Sequence, residues 1–259
     1  MPQTETHKDK REEHLQENKV MAKAENFSKS FDGTKVLHDI NFELHKKEHM
    51  VVLGKSGTGK SVLIKSMVGL HRPSGGKLEV LGRDLKEIDN KELIDLRRQV
   101  GYLFQGGALY DSMTVRDNLR FPLERQLHPK PEDEIQQLVE EGLESVGLKK
   151  AIDKMPSELS GGMKKRIALA RTLILRPKIM LYDEPTTGLD PVTSKDISEL
   201  ILEMRDRYNI TSVIVTHDIA SAEIISDKIY IIKDGKFGAE GRFEELAQAD
   251  EDWIRAFFE

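Results

Sequence analysis

The residues best suited to chemistry in this chain gather in a few short runs, each of a type that handles phosphate. Gly54-Lys-Ser-Gly-Thr-Gly-Lys-Ser61 fits the pattern G-x-x-x-x-G-K-[ST]. Glycines in such a loop let backbone N–H groups turn inward onto phosphate oxygens, and a helix opening near Lys60 adds the positive end of its dipole. Gly54, Lys55, Ser56, Gly57, Thr58, Gly59, Lys60 and Ser61 are therefore expected to cradle a nucleoside triphosphate. Lys60 is expected on the β and γ phosphates. The hydroxyl of Ser61 is expected on Mg²⁺, a small hard cation that prefers oxygen ligands.

The run Ile179-Met-Leu-Tyr-Asp183-Glu184 is an apolar strand that ends in two carboxylates, and ligands collect at the carboxyl edge of a parallel sheet. Asp183 is expected to hold Mg²⁺ directly or through water. Glu184, pointing the opposite way, is expected to polarise the water that attacks the γ phosphate. His217 ends another apolar strand in Val215-Thr-His217-Asp218, which suits a sensor of the γ phosphate rather than a base. Gln105, just past a strand ending in Phe104, is expected to reach either Mg²⁺ or the attacking water through its amide. In Leu159-Ser-Gly-Gly-Met163, Ser160 is a candidate helix cap. Gly161 and Gly162 weaken a helix, so at its start they imply N–H groups that approach an anion closely.

These residues need a frame. Val20 to Ala24 and Val36 to Leu44 alternate as strands about an Asp32-Gly33 turn, an antiparallel entry. Met50 to Leu53 is a buried strand, followed by the glycine loop and an amphipathic helix with Val62, Leu63, Met67 and Leu70. Lys77 to Leu81 reads as a further strand, and the β region is expected to continue to Phe104. From Gln105 to Pro177 the strand signal is replaced by helical periodicity over Pro131 to Val146 and Gly162 to Leu175. Beyond it, strands at Ile179–Tyr182 and Val213–Val215 flank a helix from about Val192 to Tyr208, the alternation of a parallel sheet. Ile229 to Ile232, Asp234-Gly235 and Phe237 form a hairpin before a helical tail with Trp253 and Phe257.

The expected organisation is a charged tail over 1–18, a nucleotide-binding domain over 19–241 with a helical subdomain at about 106–176, and a short helical extension over 242–259. The tail reads either as a solvated leader or as an arm that grips a partner. Charged residues make up 33% of the 259, and no apolar run approaches the ~20 residues that cross a bilayer. The absence of cysteine excludes disulfides and thiolate metal sites and agrees with a reducing compartment. A net charge of −5 disfavours nucleic acid as a partner.

With the phosphate loop, Gln105, Leu159-Ser-Gly-Gly162, Asp183-Glu184, Gly188-Leu-Asp190 and His217 in order, the chain resembles the ABC ATPase family from about Val20 to Gly241. The resemblance implies an α/β fold: a P-loop NTPase core with a mixed sheet, an antiparallel β subdomain and an inserted helical subdomain. It implies ATP and Mg²⁺ as cofactors. It also implies a head-to-tail dimer with a second copy, in which each ATP lies between the phosphate loop of one cassette and Ser160, Gly161 and Gly162 of the other. Phe31 matches the aromatic that stacks on adenine, and Asp190 matches the loop coupling the two sites. One departure is Lys47, where the family usually has glycine before the residue matching Glu48.

Gly59-Lys-Ser-Val-Leu63, Met163 and the run Phe104 to Val115 are similar to the Mla/Mkl branch, whose ATPases drive phospholipid transport with MCE-type proteins. That likeness implies a permease and an MCE-type lipid-binding protein as partners, on the cytoplasmic face of the inner membrane. The alternatives are a transporter of lipoprotein or amino acid, a cell-division ATPase, or a soluble ABC protein outside transport. Leu109 and Met113 read equally as a permease contact and as core of the helical subdomain.

Overall fold

A computed structural model describes residues 19–126 and 130–258. The segment read as a tail lies outside the described residues. Strands β1 (Val20–Phe31) and β2 (Thr34–His45) pair antiparallel and run longer than their apolar alternation implies. Asp32 and Gly33 both take positive φ, 47° and 80°, which is the hairpin turn whose twist matches the flanking strands. β4 (Gly75–Val80) pairs with β1, and the short β5 (Arg83–Asp84) closes a four-stranded sheet of order β2-β1-β4-β5.

The second sheet has the order β10-β9-β3-β8-β7-β6. Its strands are β3 (His49–Leu53), β6 (Val100–Leu103), β7 (Ile179–Asp183), β8 (Thr211–Thr216), β9 (Lys228–Lys233) and β10 (Lys236–Gly241). All neighbours are parallel except β9 and β10, so the sheet is mixed. Side chains alternate between two cores, as the pleat requires. Val51, Leu53, Met180, Tyr182 and Ile214 face the helical layer, whereas Met50, Val52, Leu181, Val213 and Val215 face the antiparallel sheet. A sheet buried on both faces explains the nearly unbroken apolar runs of β3, β7 and β8.

The helices are α1 (Lys60–Met67), α2 (Asn90–Gln99), α3 (Val115–Glu124), α4 (Glu132–Ser145), α5 (Gly161–Leu173), α6 (Pro191–Tyr208), α7 (Ile219–Ile225), α8 (Phe243–Ala247) and α9 (Asp252–Arg255). Among the described residues, no helix is long and apolar enough to cross a membrane. The stretch before Phe104 is not continuous β structure, because α2 interrupts it. Leu96 alone among its residues is buried, so apolar periodicity is faint, and the signal is instead a reciprocal cap between Asp89 and Glu92. The helix α3 was also not expected from periodicity. Pro122 sits inside it, while Val115, Leu119 and Leu123 bury one face at a spacing of four and Thr114 caps it with Asp117.

Lys47 takes φ 66°, the left-handed region that favours glycine, and its N–H donates to Thr211 Oγ1 at 2.9 Å. The turn therefore keeps the shape that glycine would give it, with a lysine held there against its preference.

Candidate functional site

Four adjacent parallel strands deliver the site. Leu53 pairs with Thr216, Asp183 with Val215 and Leu103 with Tyr182. The residues following these strand ends, Gly54, His217, Glu184 and Gln105, thus emerge along one edge of the sheet. A cleft of about 540 Å³ opens there, lined by Lys55, Ser56, Gly57, Gly59, Lys60 and Ser61 of the loop together with Val36, Val62, Gln105, Glu184 and His217.

Gly59 sets the geometry of the loop. It takes φ 100° as the cap of α1, and a Cβ there would meet Leu37 Cδ2 at 2.7 Å. The residue must be glycine for α1 to start against β2. The ammonium of Lys60 is buried and donates to the carbonyls of Gly54 (2.6 Å) and Lys55 (3.2 Å). It also lies 3.3 Å from Oε1 of Glu184. Thr58 Oγ1 donates to the Lys55 carbonyl at 2.9 Å, which braces the bend of the loop.

Asp183 and Glu184 do not point in opposite directions. Strand alternation predicts that they should, but Glu184 lies just beyond β7 with φ 50°, and the backbone turns its carboxylate back toward the loop. Asp183 Oδ1 accepts from Ser61 Oγ at 2.9 Å, and its Oδ2 accepts from Tyr102 Oη at 2.9 Å. Glu184 Oε2 lies 2.8 Å from His217 Nδ1 and accepts from Thr187 Oγ1 at 3.2 Å. The two carboxylates thus divide the labour, with Asp183 on the serine and Glu184 on the lysine and histidine.

Sequence reasoning missed Tyr102 and Lys165. Burial, and next the negative charge of Asp183, hold the Tyr102 phenol protonated far above its ordinary range, so it stays a donor. Lys165, nine-tenths buried on α5, donates to the carbonyl of Gln105 and lies 3.5 Å from that of Glu184. Burial lowers its pKa while the carboxylates of Glu184 and Asp183 oppose that shift. Inward placement on adjoining elements is what brings both residues in, and no local pattern around either one marks it.

Ser160, Gly161, Gly162, Asp190 and Phe31 do not line this cleft. Ser160 caps α5, accepting from Met163 N at 3.3 Å. A Cβ on Gly162 would meet Thr193 Cγ2 at 2.7 Å, so that glycine is also needed to let α5 approach α6. Asp190 caps α6 through the N–H groups of Val192 and Thr193, and its bonds to Thr193 keep the carboxyl below its usual range. Phe31 is not a core residue. It is partly exposed, sits edge-on to His71 at 5.0 Å between centroids, and has the Lys29 ammonium 4.8 Å from its ring centroid.

Comparison with known proteins agrees with this geometry. Residues 37–187 match the family described as "ABC transporter". The chain is 41% identical over 238 residues to the probable ribonucleotide transport ATP-binding protein mkl of Mycobacterium leprae, covering 92% of this chain and 68% of that protein. It is 40% identical over 220 residues to the intermembrane phospholipid transport system ATP-binding protein MlaF of Haemophilus influenzae, covering 85% and 83%. It is 36% identical over 239 residues to the methionine import ATP-binding protein MetN of Clostridium tetani, covering 92% and 74%.

Among solved structures, cbiO1 of Clostridium perfringens, part of the ABC transporter complex cbiONQ, superposes with a TM-score of 0.83 at 32% identity, covering 92% of this chain and 94% of that one. The ATP-binding cassette MJ0796, in a dimeric post-hydrolysis state bound to ADP and Pi, gives 0.78 at 29% identity, covering 86% and 99%. A phosphate loop, two carboxylates and a histidine on one sheet edge, in a chain matched over residues 37–187 by that family, place this protein in the ABC transporter family as one of its ATP-hydrolysing cassettes.

Proposed function

We propose that this cassette powers phospholipid transport, working as a head-to-tail pair beneath a membrane permease and with an MCE-type lipid-binding protein. The observation that carries the cargo is the likeness to MlaF, which spans 83% of that protein. The side chains Val62 and Met163 and the run Phe104 to Val115 support the same branch.

In this reading the loop from Gly54 to Ser61 wraps the triphosphate. Lys60 exchanges its contact with Glu184 and two carbonyls for β and γ oxygens. The Ser61 hydroxyl and the Asp183 carboxylate, already hydrogen-bonded to each other, are hard oxygen donors side by side, and with Gln105 on the same cleft they would hold Mg²⁺. Bound there, Mg²⁺ would neutralise charge on the phosphates. Glu184 takes the proton of the attacking water, and His217, hydrogen-bonded to it, holds its carboxylate in line and reads the γ phosphate. Ser160, Gly161 and Gly162 lie outside the cleft of their own chain, which fits a second copy that closes the site with its own α5 start. Asp190 couples the two sites across that pair. Phe31 stacks on adenine from the β1–β2 hairpin.

The exposed Phe104 and Tyr110, with the exposed Gly106 and Ala108, give the permease a surface of aromatic and small residues. Leu109 is half-buried against the helical core and serves packing instead. Purification of the cassette from its native membranes tests the cargo. A multispanning permease, an MCE-type protein and bound phospholipid are expected together. A permease with a methionine-binding partner and no lipid would favour the MetN-like reading and end the phospholipid one.

A further inference from the structure

The Asp183 carboxylate is buried at the end of β7 and is held by two hydroxyls from distant parts of the chain. Ser61 Oγ, at the start of α1, donates to Oδ1, and Tyr102 Oη, on β6, donates to Oδ2, each at 2.9 Å. Among the described residues this carboxylate has no other hydrogen bond and no ion pair, whereas the neighbouring Glu184 has the Lys60 ammonium at 3.3 Å. A buried carboxylate met only by neutral donors is short of countercharge, and each of its oxygens keeps acceptor capacity beyond the one bond it makes. That donor set fits a small hard cation.

Strand register brings Tyr102 there. It pairs with Leu181, so Tyr102, Leu181 and Asp183 lie on one face of the sheet, and the phenol spans from the Leu181 position to the next one along β7 on that face. The ring is half-buried and packs against that of Phe104, with centroids 4.4 Å apart and an interplanar angle of 40°. Packing that already orders the ring leaves little further entropy to lose when the hydroxyl bonds. An apolar ring at this position would fill the same space and leave Oδ2 without a donor. A carboxylate bonded through one oxygen can turn about its Cβ–Cγ bond, whereas one bonded through both is fixed. Here the bond to Tyr102 keeps Oδ1 beside the hydroxyl of Ser61, a residue that lines the phosphate-loop cleft. Groups that orient a metal-binding carboxylate in this way change metal affinity by about 10- to 100-fold when removed.

We propose that Tyr102 is a positioning residue for the metal, a role that rests on the assignment of Mg²⁺ to Ser61 and Asp183: its hydroxyl locks the Asp183 carboxylate with one oxygen beside Ser61 Oγ. Tyr102→Phe removes Oη alone and keeps the ring against Phe104. Calorimetric titration of the full chain with adenylyl imidodiphosphate, which is not hydrolysed, tests this when run once with excess Mg²⁺ and once with EDTA. Tyr102→Phe is expected to weaken the Mg²⁺-supported affinity by about tenfold and to leave the affinity in EDTA unchanged. Asp183→Asn is expected to remove most of the Mg²⁺ contribution. Adding Tyr102→Phe to Asp183→Asn should then cost nothing further, because the tyrosine acts through that carboxylate. Unaltered Mg²⁺ dependence in Tyr102→Phe, beside its loss in Asp183→Asn, would overturn the role of Tyr102 and leave the metal assignment standing. Unaltered Mg²⁺ dependence in Asp183→Asn would overturn both. Equal weakening of Tyr102→Phe in Mg²⁺ and in EDTA would show a loosened site with no bearing on the metal, and would also overturn the proposal.

Discussion

The ammonium of Lys60 stands 3.3 Å from Oε1 of Glu184, and both side chains are about nine-tenths buried. A loop lysine and a strand-end carboxylate 124 positions apart thus form a buried ion pair at the point where phosphate is expected. Its partners must separate for Lys60 to engage phosphate, so each has a measurable consequence when removed.

Lys60→Ala is expected to raise the ATP dissociation constant by about 100-fold, since two charge-assisted hydrogen bonds are together worth roughly 3 kcal/mol. ATP titration calorimetry on the folded variant reads this. Unchanged affinity would remove Lys60 from the phosphate site.

Glu184→Gln is expected to bind ATP with near-normal affinity and to hydrolyse it roughly 10²- to 10⁴-fold more slowly, the range assigned to a positioned general base. The amide keeps the side chain's shape but cannot accept the water's proton. ATP-bound dimers should accumulate in size-exclusion chromatography, and normal turnover would move the role to another group.

Ser160 is expected to act on the ATP of a second copy. Mixing Ser160→Arg chains with Lys60→Ala chains should restore one composite site per mixed pair and with it part of the ATPase activity. A mixture no more active than either parent would contradict the head-to-tail arrangement.

Lys47→Gly is expected to stabilise the protein. The left-handed φ of 66° costs a non-glycine residue roughly 1–2 kcal/mol, and glycine returns part of that gain as unfolded-state entropy. A net rise of about 0.5–1 kcal/mol should appear as a higher urea midpoint at unchanged slope. A lower midpoint would mean that the lysine side chain supplies more than the turn costs.

His49 gives stability a dependence on acid. It is fully buried, with Nδ1 3.2 Å from the Ile225 carbonyl and Nε2 3.1 Å from Ser212 Oγ, partners that a neutral ring satisfies by donating at one nitrogen and accepting at the other. Burial first, and then Arg205, lower its pKa to about 4 against the pull of Asp227 and Asp206. The unfolded chain therefore binds this proton first. Stability is fully present above pH ~6.5 and falls toward pH ~4, by up to roughly 3 kcal/mol. Urea unfolding of His49→Gln should be flatter across that window, and an identical pH slope would exclude His49 as the cause.

The sequence by itself determined which residues meet at the sheet edge. The loop from Gly54 to Ser61, the strand end at Asp183-Glu184, Gln105 and His217 were legible as candidates because a phosphate site calls for particular residue types at fixed local spacing, and the structure gathers them along one edge. The buried sheet was legible too, since strands covered on both faces must be apolar throughout. The helix α2 was less so, because with only Leu96 buried its evidence lies in a cap and not in a hydrophobic period. Only the tertiary structure decided the pairings across the sheet edge. Tyr102 meets Asp183 because β6 lies beside β7, and Lys165 reaches Gln105 because α5 packs beneath the edge. The direction of Glu184 depends on a single backbone angle that strand alternation does not foresee. Local spacing encodes what one loop can grip, whereas a contact between distant residues exists only once packing has fixed which strands and turns are neighbours.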